Sequence, residues 1–453
     1  MMKNKFLVVG NGARESAFAI NLSSDSIVYA VIQHKNPTIV ECVQNTHGKY
    51  LVADVNDPDV VLNFARDNEI DYVFVSSDQP LANGVVDVLL ENNIRAIGGT
   101  KEATRIEWDK IYSIDLVKKV CGECVPFYLV VSNDKELVDA VEEFKKRRLD
   151  IVVKPQGLTG GKGVKLMPNH LKKYEDCIDY SRILLKNNPT ERVLLVEKLD
   201  GIEFTIMGFT DGENLVLSPA SYDYPYRHEN DLGDGTGGMG CFTNSELKLP
   251  FMSDSDLDQC KEIMKKTLSE MRERNLNFNG ILNGGFFKTK DGIKFMEYNG
   301  RFGDPEAMNV LSVLNEPLST VLENIWHKKI SEDNITFVGK ASVVKYLVAK
   351  EYPQKSESET LFSIKKEEMS KFGISIFCSF CEELGNRGAY TEYKTLKTSR
   401  VIAFGCISED IESASDLINE AIEKYVMRQG LEFRRDIGSR ENLILLSEKA
   451  SKY

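Results

Sequence analysis

The stretch Ile151-Val-Val-Lys154-Pro-Gln-Gly157-Leu-Thr-Gly-Gly-Lys-Gly163 decides the fold of this chain. Its first three residues are β-branched and apolar, which predicts a buried strand that ends in Lys154. In the glycine-rich loop that follows, backbone N–H groups can converge with lysine side chains on a polyphosphate. The combination predicts nucleotide binding, and a plain hairpin turn is the alternative.

The loop differs from the P-loop that many nucleotide-binding proteins use. Gln156 stands where that pattern needs its first glycine, and Gly163 replaces the Ser or Thr that would hold magnesium. A P-loop fold is therefore excluded. The candidate nucleotide ligands in this stretch are Lys154, Gly160, Gly161, Lys162 and Gly163.

A second stretch, Phe295-Met-Glu297-Tyr-Asn299, predicts a strand followed by Arg301. Side chains alternate with period two along a strand, so Glu297 and Asn299 share one face. Two oxygen donors suit Mg²⁺, which leaves its remaining positions to phosphate and water. Arg301 follows on the same side and can neutralise charge on a transferring phosphoryl group. An ordinary polar strand end is the alternative.

Two weaker signals lie between these stretches. The strand Val193 to Glu197 leads into an acidic pair that ends at Glu203, where an extended hinge could bond adenine and a carboxylate could accept ribose hydroxyls. A solvated acidic edge would look the same. The glycine-dense segment Asp231 to Gly240 predicts a functional loop near the substrate, with a flexible linker as the alternative.

The first hundred residues alternate short apolar strands with helices, which indicates βαβ units and a parallel sheet. The first strand enters Gly10-Asn-Gly-Ala-Arg-Glu15, a partial dinucleotide fingerprint. Glu15 stands where the third glycine belongs, which argues against NAD. The loop could still approach a ligand phosphate with help from Arg14, or it could be a plain tight turn.

Composition narrows the function classes. The formal charge of the 453-residue chain is −12, which disfavours sequence-general nucleic-acid binding and favours small anions as partners. Neither a signal-peptide core nor a membrane-length apolar run is evident, so we expect a cytoplasmic protein without membrane contact. The nine cysteines are expected to be reduced thiols, including the Cys-x-x-Cys pairs Cys121/Cys124 and Cys378/Cys381, which lie too far apart for a compact zinc module.

Taken together, the motifs identify a resemblance that covers the whole chain. Lys154, the Gly-Gly-Lys-Gly loop and the segment Glu297 to Glu306 resemble the ATP-grasp superfamily. More narrowly, the chain resembles the phosphoribosylamine-glycine ligase family. The motifs that carry the narrower resemblance are Gly10 to Glu15, Pro80 to Asp87, Val152 to Val164, Thr236 to Gly240, Arg301 to Glu306 and Arg434 to Gly438.

The resemblance implies a mixed α/β and α+β architecture. It consists of an N-terminal parallel-sheet, Rossmann-like substrate-binding domain at residues 1–104, an ATP-grasp domain at 105–325 with a lid near 125–195, and a small mixed C-terminal domain at 326–453. It also implies three small-molecule substrates, namely ATP, glycine and phosphoribosylamine. The expected assembly is a monomer or a small homo-oligomer.

The implied reaction phosphorylates the glycine carboxylate with ATP, and the amine of 5-phosphoribosylamine then attacks the acyl phosphate. Lys110 and Lys154 would bind phosphates, the glycine loop would close as a lid, and Glu297 and Asn299 would hold Mg²⁺ or Mn²⁺. Glu197, Lys198 and Leu199 would meet adenine, and Glu203 the ribose. Arg301 and Asp223 are the catalytic candidates. The substrate-binding candidates are Gly12, Arg14, Glu15, Asp78, Gly237, Gly238 and Asp304.

The sequence departs from the family pattern at positions expected near the other substrates. Ser16 replaces a histidine, Ser76-Ser-Asp78 replaces Gly-Pro-Glu, and Gly233-Asp-Gly-Thr236 replaces Gly-Pro-Asn-Thr. Asp223-Tyr-Pro-Tyr226 replaces Asp-His-Lys-Arg and lacks both of its basic residues. Two alternatives therefore stand beside the main prediction: a related ligase for a different amino acid or amine, and a non-catalytic nucleotide-binding regulator.

Overall fold

The structure is a computed structural model that describes residues 3–157, 163–188, 190–396 and 399–453. Five parallel strands near the N-terminus form a sheet of order β3-β2-β1-β4-β5. The strands are β1 Lys5–Val9, β2 Ile27–Ile32, β3 Tyr50–Val52, β4 Tyr72–Val75 and β5 Ala96–Ile97. The helices are α1 Ala13–Ser23, α2 Pro37–Asn45, α3 Pro58–Asp67, α4 Asp78–Ala82 and α5 Val85–Glu91.

Both faces of this sheet are covered, which explains the apolar runs in its strands. Phe6 and Val8 of β1 enter one hydrophobic cluster, while Leu7 and Val9 enter another on the opposite face. A parallel sheet packed on both sides needs apolar residues at every position. The ends of its strands at Val9 and Val75 therefore lead directly into loops that face the rest of the molecule.

An antiparallel sheet of order β6-β9-β7-β8 carries the glycine-loop strand at its centre. Its strands are β6 Tyr128–Val131, β7 Ile151–Pro155, β8 Lys165–Leu166 and β9 Val193–Glu197. The neighbouring helices are α6 Arg105–Trp108, α7 Lys110–Val120, α8 Asp134–Arg147 and α9 Tyr174–Asn187. The lysine-rich stretch from Lys101 to Val120 has a continuous helical pattern in the sequence, but the structure divides it, because Asp109 caps α7 by accepting the Tyr112 N–H at 3.1 Å.

A long sheet of order β17-β16-β10-β12-β15-β18-β23-β20 forms the centre of the molecule. Its strands are β10 Ile202–Asp211, β11 Leu215–Leu217, β12 Ser221–Asp223, β15 Gly240–Thr243, β16 Asn279–Thr289, β17 Gly292–Asn299, β18 Ala341–Ala349, β20 Ile374–Cys378, β23 Ile402–Ser408 and β25 Leu431–Glu432. The helices beside it are α10 Asp254–Glu273, α11 Glu306–Val313 and α12 Leu318–Trp326. Antiparallel pairing of Gly240 with Lys345 joins the middle of the chain to its C-terminal third.

The C-terminal third adds an antiparallel sheet of order β21-β22-β19-β24. Its strands are β19 Leu361–Ile364, β21 Cys381–Arg387, β22 Tyr390–Thr395 and β24 Val426–Met427, and its helices are α13 Lys366–Lys371, α14 Ile411–Tyr425 and α15 Arg440–Ala450. The sequence from Ile411 to Met427 predicts one helix, but the helix ends at Tyr425, because Val426 and Met427 pair with β19 instead.

Two further expectations need correction. The segment predicted as a loop from Asp231 to Gly240 contains β14 Leu232–Gly235, which forms a short hairpin with β13 Tyr226–His228. The cysteines were expected to be reduced, but Cys121 and Cys124 are joined by a disulfide, whereas seven others are free and buried.

One expectation about membranes can be compared with the helices directly. Across the described parts of the chain, every helix is either too short or too polar to cross a membrane.

Candidate active site

A cavity at the edge of the long sheet gathers most of the predicted nucleotide-binding and metal-binding residues. Strand β7 supplies Lys154, helix α7 supplies Lys110, and strand β17 supplies Glu297 and Asn299. Arg301 lines the cavity just beyond β17. We call this cavity the nucleotide cleft. Its walls also include the apolar residues Ile106, Ile114, Val164, Leu194, Val196 and Phe295, which form a bed of the kind that a base ring packs against.

The two lysines of the nucleotide cleft have different surroundings. Lys110 is the first residue of α7, and its ammonium donates to the Gly157 carbonyl at 2.6 Å. Burial and then the nearby Lys154 lower the pKa of Lys110, while Glu297 opposes the shift. Among the described residues, no hydrogen-bond acceptor lies against the Lys154 ammonium. Lys154 is therefore available to an anionic ligand.

Glu297 and Asn299 lie on the same face of β17, as the period of two predicts. Their partners across the hairpin are Gly285 and Asn283. Asn283 is 2% exposed, and its Oδ1 has no hydrogen-bond partner in the described structure. A set of donors made only of carboxylate and amide oxygens fits a hard divalent cation such as Mg²⁺.

Arg301 is held by an ion pair that the sequence did not reveal. Its Nε lies 3.1 Å from Oε1 of the buried Glu107, and its Nη2 donates to Asn299 Oδ1 at 3.2 Å. Glu107 also accepts the Gly300 N–H at 2.8 Å. Burial raises the pKa of Glu107, and Arg301 opposes the shift. Glu107 thus aims the guanidinium at the cleft, and nothing local in the helical stretch around it signals that role.

The hinge candidates follow strand β9 at the edge of the cleft. The Glu197 carboxylate accepts the Phe127 N–H at 3.1 Å, and the Lys198 N–H donates to the Asp150 carbonyl at 2.9 Å. Leu199 is the next residue along the hinge. Glu203 lies at the start of β10 and is exposed to solvent; partial desolvation by the surrounding protein and the nearby Glu297 carboxylate raise its pKa.

The N-terminal loop forms a closed network rather than an open phosphate cradle. Glu15 Oε2 accepts the Gly12 N–H at 2.6 Å, so the carboxylate of the chain itself occupies the start of α1. Arg14 donates to Glu15 at 2.8 Å, to Ser77 Oγ at 3.1 Å and to the Phe302 carbonyl at 3.1 Å. These bonds fasten the loop to the segment that carries Arg301.

Asp78 connects this loop with the nucleotide cleft. Burial alone would raise the pKa of Asp78, but Arg301 and Arg14 outweigh it and hold the pKa below its usual value. Asp78 also lines the cleft. An ionised carboxylate between two arginines can orient both guanidinium groups.

The remaining candidates meet where three parts of the chain come together. The Asp304 carboxylate accepts from Tyr346 Oη at 2.6 Å and from Arg400 Nη2 at 2.8 Å. A Cβ on Gly238 would lie 2.8 Å from Asp223 Oδ1, so these residues are in close contact. We call the cluster of Asp223, Gly237, Gly238, Asp304 and Arg400 the junction. Arg400 and Tyr346 were not predicted from the sequence.

Asp223 lies in a strongly acidic environment. Burial, Glu306 and Glu203 raise its pKa well above the usual range, and Arg400 opposes the shift. Glu306 is itself buried and accepts from Thr205 Oγ1 at 3.2 Å. The Glu306 carboxylate therefore contributes to the rise in the pKa of Asp223.

Comparison with known proteins gives the family. Residues 4–107 match the model for the phosphoribosylglycinamide synthetase N domain, and residues 108–307 match the model for its ATP-grasp (A) domain. The chain is 35% identical to phosphoribosylamine-glycine ligase of Pyrococcus furiosus over 443 residues, covering 97% of this chain and 95% of that protein. It is 36% identical to the Methanocaldococcus jannaschii enzyme of the same name over 453 residues, covering 99% of each.

The chain belongs to the phosphoribosylamine-glycine ligase family. Its fold resembles the crystal structure of phosphoribosylamine-glycine ligase from Thermotoga maritima, with a TM-score of 0.77 at 23% identity over 96% of this chain and 100% of that one. It also resembles the biotin carboxylase domain of Hydrogenobacter thermophilus 2-oxoglutarate carboxylase, with a TM-score of 0.69 at 14% identity over 96% of this chain and 92% of that one. The predicted ATP-grasp fold class is confirmed.

Two departures from the family pattern can now be located. Ser16 is fully buried, and its hydroxyl donates to the Cys378 carbonyl at 2.6 Å, away from the nucleotide cleft. Tyr224 is buried as well, and its hydroxyl donates to Asn442 Oδ1 at 2.6 Å. Both side chains attach other parts of the ligase to its C-terminal third.

Three of the predicted nucleotide ligands, Gly160, Gly161 and Lys162, lie outside the described residues. Gly163 is described, and its carbonyl accepts from Tyr180 Oη at 2.8 Å. The predicted lid closure falls largely on the same undescribed stretch and stays a prediction.

Proposed function

We propose that this protein joins glycine to 5-phosphoribosylamine with hydrolysis of ATP, giving glycinamide ribonucleotide, ADP and phosphate in purine biosynthesis. The observation that carries the proposal is the convergence of Lys110, Lys154, Glu297, Asn299 and Arg301 on one cleft. These residues supply cations for phosphates and oxygens for a divalent cation. Family membership supplies the identity of the co-substrates.

The proposed reaction has two steps. A carboxylate oxygen of glycine attacks the γ-phosphorus of ATP, the bond to the β-phosphate oxygen breaks, and ADP leaves with the electron pair. The amine nitrogen of phosphoribosylamine then attacks the acyl carbon, the bond to the phosphate oxygen breaks, and phosphate leaves. Such chemistry depends on positioning and charge stabilisation and needs no covalent enzyme intermediate.

Residues of the nucleotide cleft would serve the first step. Lys110 and Lys154 would hold ATP phosphates, and Arg301, aimed by Glu107, would neutralise charge on the transferring phosphoryl group. Mg²⁺ or Mn²⁺ held by Glu297 and Asn299 would neutralise phosphate charge as well. The backbone at Glu197 to Leu199 would bond adenine, and Glu203 would accept the ribose hydroxyls.

Residues of the junction would serve the second step. The raised pKa of Asp223 makes its carboxylate a stronger proton acceptor than an exposed aspartate, which suits removal of the proton from the attacking amine. Gly237, Gly238 and Asp304 would shape the space around the amino acid. Gly12, Arg14, Glu15 and Asp78 would shape the phosphoribosylamine side through the closed network that they form.

We extend the proposal to organisation and location. The chain would divide into units at residues 1–104, 105–325 and 326–453, with a lid near 125–195. It would act in the cytoplasm as a monomer or small homo-oligomer on small molecules alone. Limited proteolysis would test the division, because linkers between independent units are cut first.

The direct test supplies purified protein with ATP, Mg²⁺, glycine and freshly generated phosphoribosylamine. Phosphate and glycinamide ribonucleotide should appear in equal amounts, and only when both co-substrates are present. Growth without purines, in a purine auxotroph lacking this step, should follow expression of the gene. Phosphate release without formation of the ribonucleotide would refute the proposed function.

A second candidate function, ligation of a different amino acid or amine, is motivated by one specific segment. Asp223 to Tyr226 lacks the two basic residues of the family pattern, and Tyr224 is bonded to the C-terminal third. A panel of amino acids in the phosphate-release assay distinguishes the candidates. Turnover with another amino acid but not with glycine would select the second.

A further inference from the structure

Arg400 comes from the C-terminal third and contacts the loops of the junction with its side chain. Its side chain is 11% exposed. Nη1 donates to the carbonyls of Gly237, Gly238 and Asp304, and the latter two bonds are both 3.1 Å long. Nη2 donates to Asp304 Oδ2 at 2.8 Å. One guanidinium therefore binds two separate loops at four acceptors.

Tyr346 and Tyr352 complete the arrangement from the same part of the chain. The Arg400 guanidinium lies 4.4 Å from the centre of the Tyr346 ring, and Tyr346 Oη donates to Asp304 Oδ1. Tyr352 Oη accepts the Gly237 N–H at 3.2 Å. Because the planar guanidinium is stacked as well as hydrogen-bonded, it is fixed in orientation.

The loops that Arg400 binds have little freedom of their own. Gly238 has φ of +99°, and a Cβ there would lie 2.7 Å from Pro305 and 2.8 Å from Asp223 Oδ1. The loop of Gly237 and Gly238 therefore fits directly against Asp223 and the Asp304 turn. A displacement of this loop would move the wall beside the Asp223 carboxyl.

Asp304, one of the predicted substrate-binding residues, also holds separate segments of the chain together. Both of its carboxylate oxygens accept hydrogen bonds, one from Tyr346 and the other from Arg400. Gly12 of the N-terminal loop lies nearby, since a Cβ there would be 3.8 Å from Asp304 Oδ2. Asp304 therefore connects the N-terminal loop with the C-terminal third, and Arg400 holds that connection.

We propose that Arg400 is a positioning residue that sets the site for the amino acid and the amine, while leaving ATP binding unchanged. The inference rests on the proposed function. Its basis is that, among the described residues, the side-chain hydrogen bonds of Arg400 all go to the junction, whereas Lys110, Lys154 and Glu297 line the nucleotide cleft. The positive charge of Arg400 also opposes the rise that burial, Glu306 and Glu203 cause in the pKa of Asp223, so Arg400 acts on this carboxyl through its charge as well as through the loop.

The test compares Arg400→Gln and Arg400→Lys with the unmodified protein in steady-state kinetics. For Arg400→Gln we expect kcat/KM for glycine and for phosphoribosylamine to fall at least about tenfold, with KM for ATP changed less than about twofold. Arg400→Lys keeps the charge but loses the fork geometry, so we expect an intermediate loss. The matched control is Arg387→Gln, because Arg387 is 84% exposed and lies in the same part of the chain; its kinetics should be unchanged.

Tyr346→Phe serves as a milder second variant in case Arg400→Gln unfolds. It removes one hydrogen bond to Asp304 and keeps the ring under the guanidinium. We therefore expect a smaller fall in kcat/KM for the two co-substrates, again with little change in KM for ATP. The inference would be overturned if kcat/KM fell equally for ATP and for both co-substrates. It would also be overturned if a folded Arg400→Gln protein kept unchanged kcat/KM values for the co-substrates. Failure of the unmodified protein to turn over these co-substrates would instead refute the proposed function.

Discussion

In the nucleotide cleft, the Lys154 ammonium and the Glu297 carboxylate have no hydrogen-bond partner among the described residues, whereas in the junction Asp304 is bonded at both carboxylate oxygens. The cleft thus leaves these two charged groups available to a ligand. In the junction, the charged groups of Asp304 and Arg400 bind each other and hold loops together. The two regions therefore differ in what their charged groups contact. The first resembles a ligand-binding site, and the second resembles a structural support that fixes the positions of loops.

This difference explains why the two regions depend on different parts of the chain. The predicted phosphate and metal ligands of the cleft come from one strand end, one helix start and one hairpin between Lys110 and Arg301, and Asp78 and Glu107 line the cleft from earlier in the chain. The junction requires Arg400 from the C-terminal third to meet loops that lie 163 residues earlier, at Gly237, and 96 residues earlier, at Asp304. Substitutions in the cleft should therefore affect ATP chemistry directly, and substitutions in the junction should act through backbone position.

The largest effect is expected for Glu297→Gln in the cleft. Loss of the carboxylate charge weakens the candidate metal site, so kcat should fall by roughly 10²–10³-fold, the range seen when one transition-state contact is removed. The unfolding midpoint should be unchanged, because Glu297 holds no described neighbour by a hydrogen bond. Glu273→Gln, at the exposed end of α10, is the matched control. Full activity of Glu297→Gln would remove Glu297 from the metal site.

An intermediate effect is expected for Gly238→Ala in the junction. The left-handed φ of +99° and contacts of 2.7 and 2.8 Å to an added Cβ should cost about 1–3 kcal/mol in the free energy of unfolding. The kcat/KM for the co-substrates should fall more than that for ATP. Gly235→Ala is the control, since a Cβ there meets nothing within 4 Å. Urea titration measures the free energy of unfolding, and steady-state kinetics measure kcat/KM. Equal stability of Gly238→Ala and Gly235→Ala would contradict the predicted backbone strain at Gly238.

The smallest effect concerns the buried Lys345 of β18, which pairs with Gly240 of β15, two residues after Gly238. Its ammonium donates to Ser415 Oγ at 2.8 Å, Asn419 Oδ1 at 2.7 Å and the Arg435 carbonyl at 2.9 Å. Burial lowers the pKa of Lys345 to about 7, which is below the ordinary value of an unfolded lysine. Between these two values the unfolded chain binds more protons, so this group makes the protein more stable as pH rises above 7.

The substitution Lys345→Met should abolish this increase of stability with pH. The free energy of unfolding of the unmodified protein relative to the variant should increase by about 1–2 kcal/mol from pH 7 to pH 9. Urea midpoints of both proteins at the two pH values measure it. A difference independent of pH would show that Lys345 stays charged in the folded protein over this range.

Local sequence pattern was sufficient for much of the fold. The strand Ile27–Ile32 and the hairpin turned at Lys290 to Gly292 follow from apolar runs and a turn signal, since both depend on neighbours in sequence. The break at Asp109 was missed because a helix cap within a lysine-rich helical pattern looks like a continuation. The strand at Val426 and Met427 was missed because its partner, β19, lies far away in sequence.

The candidate site divides in the same way. Lys154, Glu297 and Asn299 could be named because strand periodicity and a glycine loop are local patterns. Glu107 and Arg400 could not, because their roles arise from pairing across 193 residues to Gly300 and 163 residues to Gly237. Contacts between distant segments of the chain produce no motif of fixed spacing in a single sequence.

The central claim is that a carboxylate is activated as an acyl phosphate, and isotope transfer tests it most directly. Glycine labelled with ¹⁸O in its carboxylate is supplied with unlabelled ATP and phosphoribosylamine, and the phosphate released is examined by mass spectrometry. If an acyl phosphate forms, each phosphate carries one ¹⁸O, because the oxygen that attacks phosphorus leaves with it. Phosphate free of label, formed together with glycinamide ribonucleotide, would contradict an acyl phosphate intermediate.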